Sequence, residues 1–163
     1  MNLGYFSHIP LLSAAITVTT GPVLELGAGL GSTPMLHGLC GAQERKLVTL
    51  ESDENWFNQF TKYGRSWHIF RFVTDFTDLP EYKEEWGVAF VDHGIAHQRC
   101  VSVEALSHTP ILVIHDTCHP RLYGYEPVLD TFKYRWDWRI ILPQTTVVSN
   151  SIDVANLFTR MGL

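Results

Sequence analysis

Little in this sequence points to a crosslinked, membrane-embedded or polyanion-binding protein. Its three cysteines, Cys40, Cys100 and Cys118, are an odd number without a CxxC pair, the usage expected of a reduced cytoplasmic protein. No segment approaches the roughly 18 consecutive apolar residues that a membrane span needs, so no membrane association is expected. The first twenty-one residues carry no positive charge ahead of their apolar part and are interrupted by Pro10, so they are not read as a signal peptide. Lysine and arginine are scarce, 12 against 17 acidic residues for a net charge of −5, and nowhere form a run. A nucleic-acid partner held by phosphate neutralisation is therefore not expected. Repeats, low-complexity stretches and linkers are also missing.

What is present suits a single domain over residues 1–163. The chain is 45% apolar and 18% charged, and at this length it should bury roughly 70% of its unfolded surface without help from disulfides or a structural metal. Short apolar, β-rich runs recur at Val23–Leu26, Leu47–Leu50, His68–Val73, Val88–Val91, Ile111–Ile114, Arg139–Leu142 and Thr145–Ser149. Helical stretches are expected at Thr33–Leu39, Asp53–Tyr63, Gln98–Leu106 and Glu126–Tyr134. This alternation predicts an α/β fold, a mostly parallel seven-stranded sheet with helices on both faces. Only Pro143 and Gln144 separate the last two predicted strands, too few for a parallel crossover, so the sheet should end in an antiparallel strand.

The strongest local pattern is Val23-Leu24-Glu25-Leu26-Gly27-Ala28-Gly29-Leu30-Gly31-Ser32-Thr33. A buried strand enters glycines at alternate positions and then a helix, which lets backbone turn tightly against a ligand. The dinucleotide fingerprint wants its third glycine one position later, where Ser32 stands. Glu51 closes the second strand, with Ser52 after it, where a carboxylate can accept both hydrogen bonds of a ribose diol. The plainer alternative makes Glu51 a helix-start acid beside Asp53 and Glu54. Asp75 and Phe76 follow the third strand, where a turn acid is also common for turn reasons alone. Asp92 ends the fourth strand and His115-Asp116-Thr117 the fifth, at the carboxyl edge where open α/β sheets bind ligands.

These residues resemble the motifs of class I S-adenosylmethionine-dependent methyltransferases over about Gly21 to Asp153, in particular a group of short microbial and phage chains. The resemblance implies a Rossmann-like fold with S-adenosylmethionine held by Glu25, Gly27, Ala28, Gly29, Gly31, Glu51, Ser52, Asp75, Phe76 and Asp92. In it Glu25 faces the methionine end, Asp75 and Phe76 meet the adenine, and Asp92 lies between cofactor and acceptor.

Five of the eight histidines, His93, His97, His108, His115 and His119, fall within 27 residues. A hydroxyl acceptor needs a general base, and Asp92, His97, His115 and Asp116 are the expected catalytic set, with His93 and His119 beside them. His108, next to Pro110 in sequence by two positions, reads as a surface turn residue. Some small-molecule O-methyltransferases hold Mg2+ with an acid after strand four and a pair after strand five. Asp92 and Asp116 match two of those places, but Thr117 replaces the third, so magnesium is not favoured. Trp86, Trp136, Trp138, Tyr123, Tyr125 and Tyr134 read as core packing more readily than as an acceptor pocket.

The expected function is methyl transfer to an oxygen or nitrogen of a small-molecule or glycan-like acceptor. Residues 1–20 are the candidate substrate cover, and a homo-oligomer is compatible with the sequence. The alternatives are a non-catalytic S-adenosylmethionine-binding subunit of a partner enzyme and an NAD(P)-dependent oxidoreductase.

Overall fold

The computed structural model describes residues 6–163. The N-terminal part of the expected substrate cover, residues 1–5, lies outside them. Seven strands form one sheet: β1 (Val23–Leu26), β2 (Leu47–Glu51), β3 (His68–Phe72), β4 (Val88–Val91), β5 (Ile111–Ile114), β6 (Tyr134–Trp138) and β7 (Thr145–Ser149). Their spatial order is β3-β2-β1-β4-β5-β7-β6. Pairing is parallel from β3 through β5, while β7 runs antiparallel to both β5 and β6. The expected architecture is thus the observed one, with the strand order reversing between β1 and β4.

β1, β4 and β5 are buried along their whole length, as expected of parallel strands covered on both faces. On one face α1 (Ile9–Val18), α2 (Ser32–Ala42) and α7 (Val154–Arg160) pack against Val23, Leu47, Val88, Phe90, Ile111 and Val113. On the other, α4 (Arg99–Ala105) and α6 (Tyr125–Leu129) cover Leu24, Leu26, Ala89, Val91, Leu112 and Ile114. Between β2 and β3 lies α3 (Glu54–Phe60), capped by the Asp53 carboxylate, which accepts the Asn55 and Trp56 amides. The short α5 (Pro120–Tyr123) precedes α6.

Two stretches differ from expectation. Within residues 6–20, where no helix was expected, Ile9–Val18 is helical, with Leu11, Leu12, Ala15 and Ile16 fully buried. The sixth strand is Tyr134–Trp138 rather than Arg139–Leu142, and the helix before it ends at Leu129. Alternating Tyr134, Trp136 and Trp138 place three aromatic side chains on the face that packs against α7, and all five residues of β6 pair with β7. Residues 139–144 become the connecting loop, in which Ile140 is 75% and Leu142 68% exposed.

Candidate active site

The carboxyl ends of β1, β2, β4 and β5 open into a cleft of about 790 Å3, at the point where the strand order reverses, the usual ligand position of open α/β sheets. Ala28, Gly29, Glu51, Asp53 and Trp56 line one end of it, and Asp92, Arg99, His115, Asp116, His119, Leu142 and Pro143 the other.

The loop after β1 lies flat because Gly27 does. Its φ is +97°, and a Cβ there would stand 2.6 Å from the Asp92 carbonyl, so only glycine lets β1 and β4 end side by side. Glu51 fixes the loop from the next strand. Its carboxylate accepts the Ala28 amide at 2.7 Å, the Ser52 amide at 2.6 Å and the Asp53 amide at 2.7 Å. Burial nonetheless raises its pKa above the ordinary carboxylate value.

Glu25 lies under the loop, fully buried and outside the cleft lining. Thr49 donates to it at 2.7 Å and Thr33 at 3.0 Å, while the Gly29 amide donates to Thr33. Burial pushes its pKa up to about 7, against these hydroxyl donors. His68 contacts Thr49 at 3.0 Å and His37 at 3.0 Å, extending the polar chain to the partly exposed His37.

Beyond β3, Asp75 is exposed and accepts both the amide and hydroxyl of Thr77, which hold its pKa below the ordinary value. Phe76 is fully buried and stacks on His93 with ring centroids 3.8 Å apart. Gln98 bridges the pair: its carbonyl accepts the Phe76 amide at 2.8 Å, and its amide nitrogen lies 3.4 Å from Asp75.

At the Asp92 end of the cleft, Arg99 spans two carboxylates, 3.0 Å from Asp92 and 3.2 Å from Asp116, and thus stands between the two acids that a magnesium ion would need. Tyr123 donates to Asp116 and lies under the guanidinium, 4.4 Å from its ring centre. His115 Nδ1 is 3.1 Å from Asp92 Oδ1, and its Nε2 is 2.8 Å from the Ser7 hydroxyl. Burial pulls the His115 pKa down, but Asp92 and then Asp116 outweigh it and hold it above the ordinary value. Burial pushes Asp92 up, yet His115 and Arg99 together keep its pKa low.

Of the histidines singled out in the sequence, His115 and His119 line the cleft. His93 is buried, bonded to Ser102 and held neutral, its pKa lowered to about 3 chiefly by burial. His97 is exposed on a 3-10 turn and outside the lining, and His108 is a surface residue contacting the Glu84 carbonyl. The structure brings to the site residues not expected there: Trp56 and Arg99 in the lining, and Ser7 and His8 buried beneath it. The spacing of Arg99, seven residues after Asp92 at the start of a helix, was a usable signal, whereas His8 had none.

No family model and no curated protein matches the sequence. Solved structures do match the fold. The N-methyltransferase NodS from Bradyrhizobium japonicum, in complex with S-adenosyl-L-homocysteine, superposes with a TM-score of 0.55 at 13% identity, over 86% of this chain and 83% of NodS. The S-adenosylhomocysteine-bound Podospora anserina methyltransferase PaMTH1 gives 0.54 at 16% identity, over 85% and 75%. A precorrin-6y C5,15-methyltransferase from Geobacter metallireducens gives 0.55 at 10% identity, over 87% of each chain. The chain therefore has the Rossmann-like fold of S-adenosylmethionine-dependent methyltransferases.

Proposed function

We propose that this protein is an S-adenosylmethionine-dependent methyltransferase acting on an oxygen or nitrogen of a small, polar, glycan-like or other small-molecule acceptor. The observation that carries this reading is that a glycine loop tied to Glu51 and an Asp92–His115 pair face one cleft, at the strand-order reversal of a fold shared with methyltransferases.

The residues fit the cofactor. The Ala28–Gly29 backbone is open to close approach, and Glu51 offers carboxylate oxygens to a ribose diol. Asp75 and the Phe76 amide supply the acceptor and donor that an adenine edge requires, the pair now bridged by Gln98. Glu25 supports the site from below, through Thr33 and Gly29. When bound, the cofactor supplies an electrophilic methyl group on a sulfonium leaving group. The chain then has to position the acceptor and remove its proton. His115, steadied by Asp92 and Ser7, is the residue for the proton. Arg99 keeps the Asp92 and Asp116 carboxylates apart and oriented.

The acidic cleft end, with two carboxylates against one arginine, suits a neutral or cationic acceptor better than an anion. β7 inserted antiparallel between β5 and β6 sets the sheet apart from that of a dinucleotide-dependent oxidoreductase.

Calorimetric titration with S-adenosylhomocysteine tests the reading directly, and no binding by the intact protein would refute it. Glu51→Ala should weaken that binding by roughly 10- to 100-fold, the effect of losing hydrogen bonds to a charged group. Gln98→Ala should strengthen it by roughly three- to tenfold, since one internal hydrogen bond no longer has to be exchanged.

A further inference from the structure

His8 is 2% exposed, and neither of its ring nitrogens has a hydrogen-bond partner. Buried polar groups are nearly always satisfied, and one that is not calls for a specific explanation, an ion among them. Its surroundings supply one. A ligand atom from each of His8, Asp92 and His115 lies within 4.8 Å of the others. The His8 ring meets the His115 ring edge-on, with centroids 4.8 Å apart, and its other neighbour is the apolar ring of Phe90 at 4.7 Å.

The orientation of His115 strengthens the case. A metal ion selects the tautomer in which His115 Nε2 donates to the Ser7 oxygen, 2.8 Å away, leaving the Nδ1 lone pair beside Asp92 Oδ1 at 3.1 Å. In that tautomer a cation takes the place of the proton that otherwise bridges the pair. Charge points the same way, because Asp92 and Asp116 face the single guanidinium of Arg99 and leave one negative charge over. Arg99 and His115 both approach Oδ1 of Asp92, so Oδ2 is the oxygen open to a further ligand.

We propose that His8, Asp92 and His115 form a binding site for a divalent transition-metal ion of the zinc, cobalt or ferrous class. Two imidazoles and one carboxylate suit such ions, whereas magnesium prefers an all-oxygen set. Bonds of about 2.0–2.1 Å would draw the three side chains inward. The Ser7 contact supplies the outer hydrogen bond that orients a ligating imidazole. Three protein ligands leave a position for water or an acceptor oxygen. With His115 held as a ligand, the ion rather than a free imidazole would acidify that oxygen for methyl transfer; this role rests on the function proposed above and replaces His115 as the base, while the site itself stands on the residues alone.

Chelator-stripped full-length protein is titrated with Co2+, followed by visible absorption and calorimetry. One equivalent should bind with ligand-field bands, be displaced by Zn2+, and shift the imidazole proton resonances of two histidines in the unmodified protein. His8→Ala and the conservative His8→Gln should each weaken binding by at least about 100-fold, with His108→Ala unchanged. Circular dichroism and S-adenosylhomocysteine titration report whether each variant is folded and keeps the cofactor site. Absence of a one-equivalent Co2+ complex in the unmodified protein, paramagnetic shifts in fewer than two histidines, or undiminished binding by a folded His8 variant overturns the metal site. Co2+ binding as expected in a protein that ignores S-adenosylhomocysteine supports the metal site and removes the methyl-transfer reading.

Discussion

Glu25 and Glu51, twenty-six residues apart, show how differently two acids can serve one loop. Glu51 meets three backbone amides and faces the cleft; Glu25 meets only hydroxyls and is sealed off. The folded protein therefore binds a proton at Glu25 up to about pH 7, whereas the unfolded chain releases it near the ordinary carboxylate value of 4.5. Between those two values the folded state holds more protons, so this group's contribution to stability is complete below 4.5 and is lost as pH rises through 7. Glu25→Gln should relieve that loss. Thermal melts should show the variant more stable than the parent at pH 8, by up to about 3 kcal/mol, and little changed at pH 4.5. Equal differences at both pH values would mean that Glu25 is ionised throughout. The glycine loop, Glu51 and Asp92 were legible because strand, turn and acid are close in sequence. His8 was not, since its partners Asp92 and His115 are far along the chain and nothing local marks a histidine that will be buried beside them.

At the scale of elements, burial from both sides made the parallel strands legible as continuous apolar runs. The same criterion failed at β6. Ile140-Ile141-Leu142 has the composition of a strand, yet it is the loop, while the alternating aromatics of Tyr134–Trp138 pair with β7. Helix α1 escaped notice for a related reason: it is apolar on most sides, so it carries little 3.6-residue contrast. The β1–α2 junction offers the sharpest test of element packing. Gly27→Ala would force a side chain at φ +97° into the Asp92 backbone. A loss of at least about 2 kcal/mol is expected by chemical denaturation, accompanied by weakened S-adenosylhomocysteine binding.

Across the whole molecule, topology is what converts scattered residues into a site. Asp92 and His115 follow neighbouring parallel strands, and Ser7 and His8 arrive from the other end of the chain just ahead of α1, which packs against α2, β4 and β5. The cleft has no inserted domain above it within the described residues; the 139–144 loop contributes Leu142 and Pro143 to its lining, on the side proposed above for the acceptor. Leu142→Asp should accordingly alter acceptor KM while leaving S-adenosylhomocysteine affinity near the parent value, and equal effects on both would place the loop over the cofactor instead.

The contact between Ser7 and His115 closes a loop of 108 residues. It is held in place by the ten-residue helix that follows Ser7 and His8. Detachment of α1 would expose Leu11, Leu12, Ala15 and Ile16 and take His8 and Ser7 away from Asp92 and His115. Any ligand that engages His8 together with Asp92 or His115 binds the docked state alone and raises the free energy of that opening. Amide exchange within Ile9–Val18 would then slow on ligand addition more than exchange in the central strands, making the protection of one terminal helix a gauge of occupancy some hundred residues away.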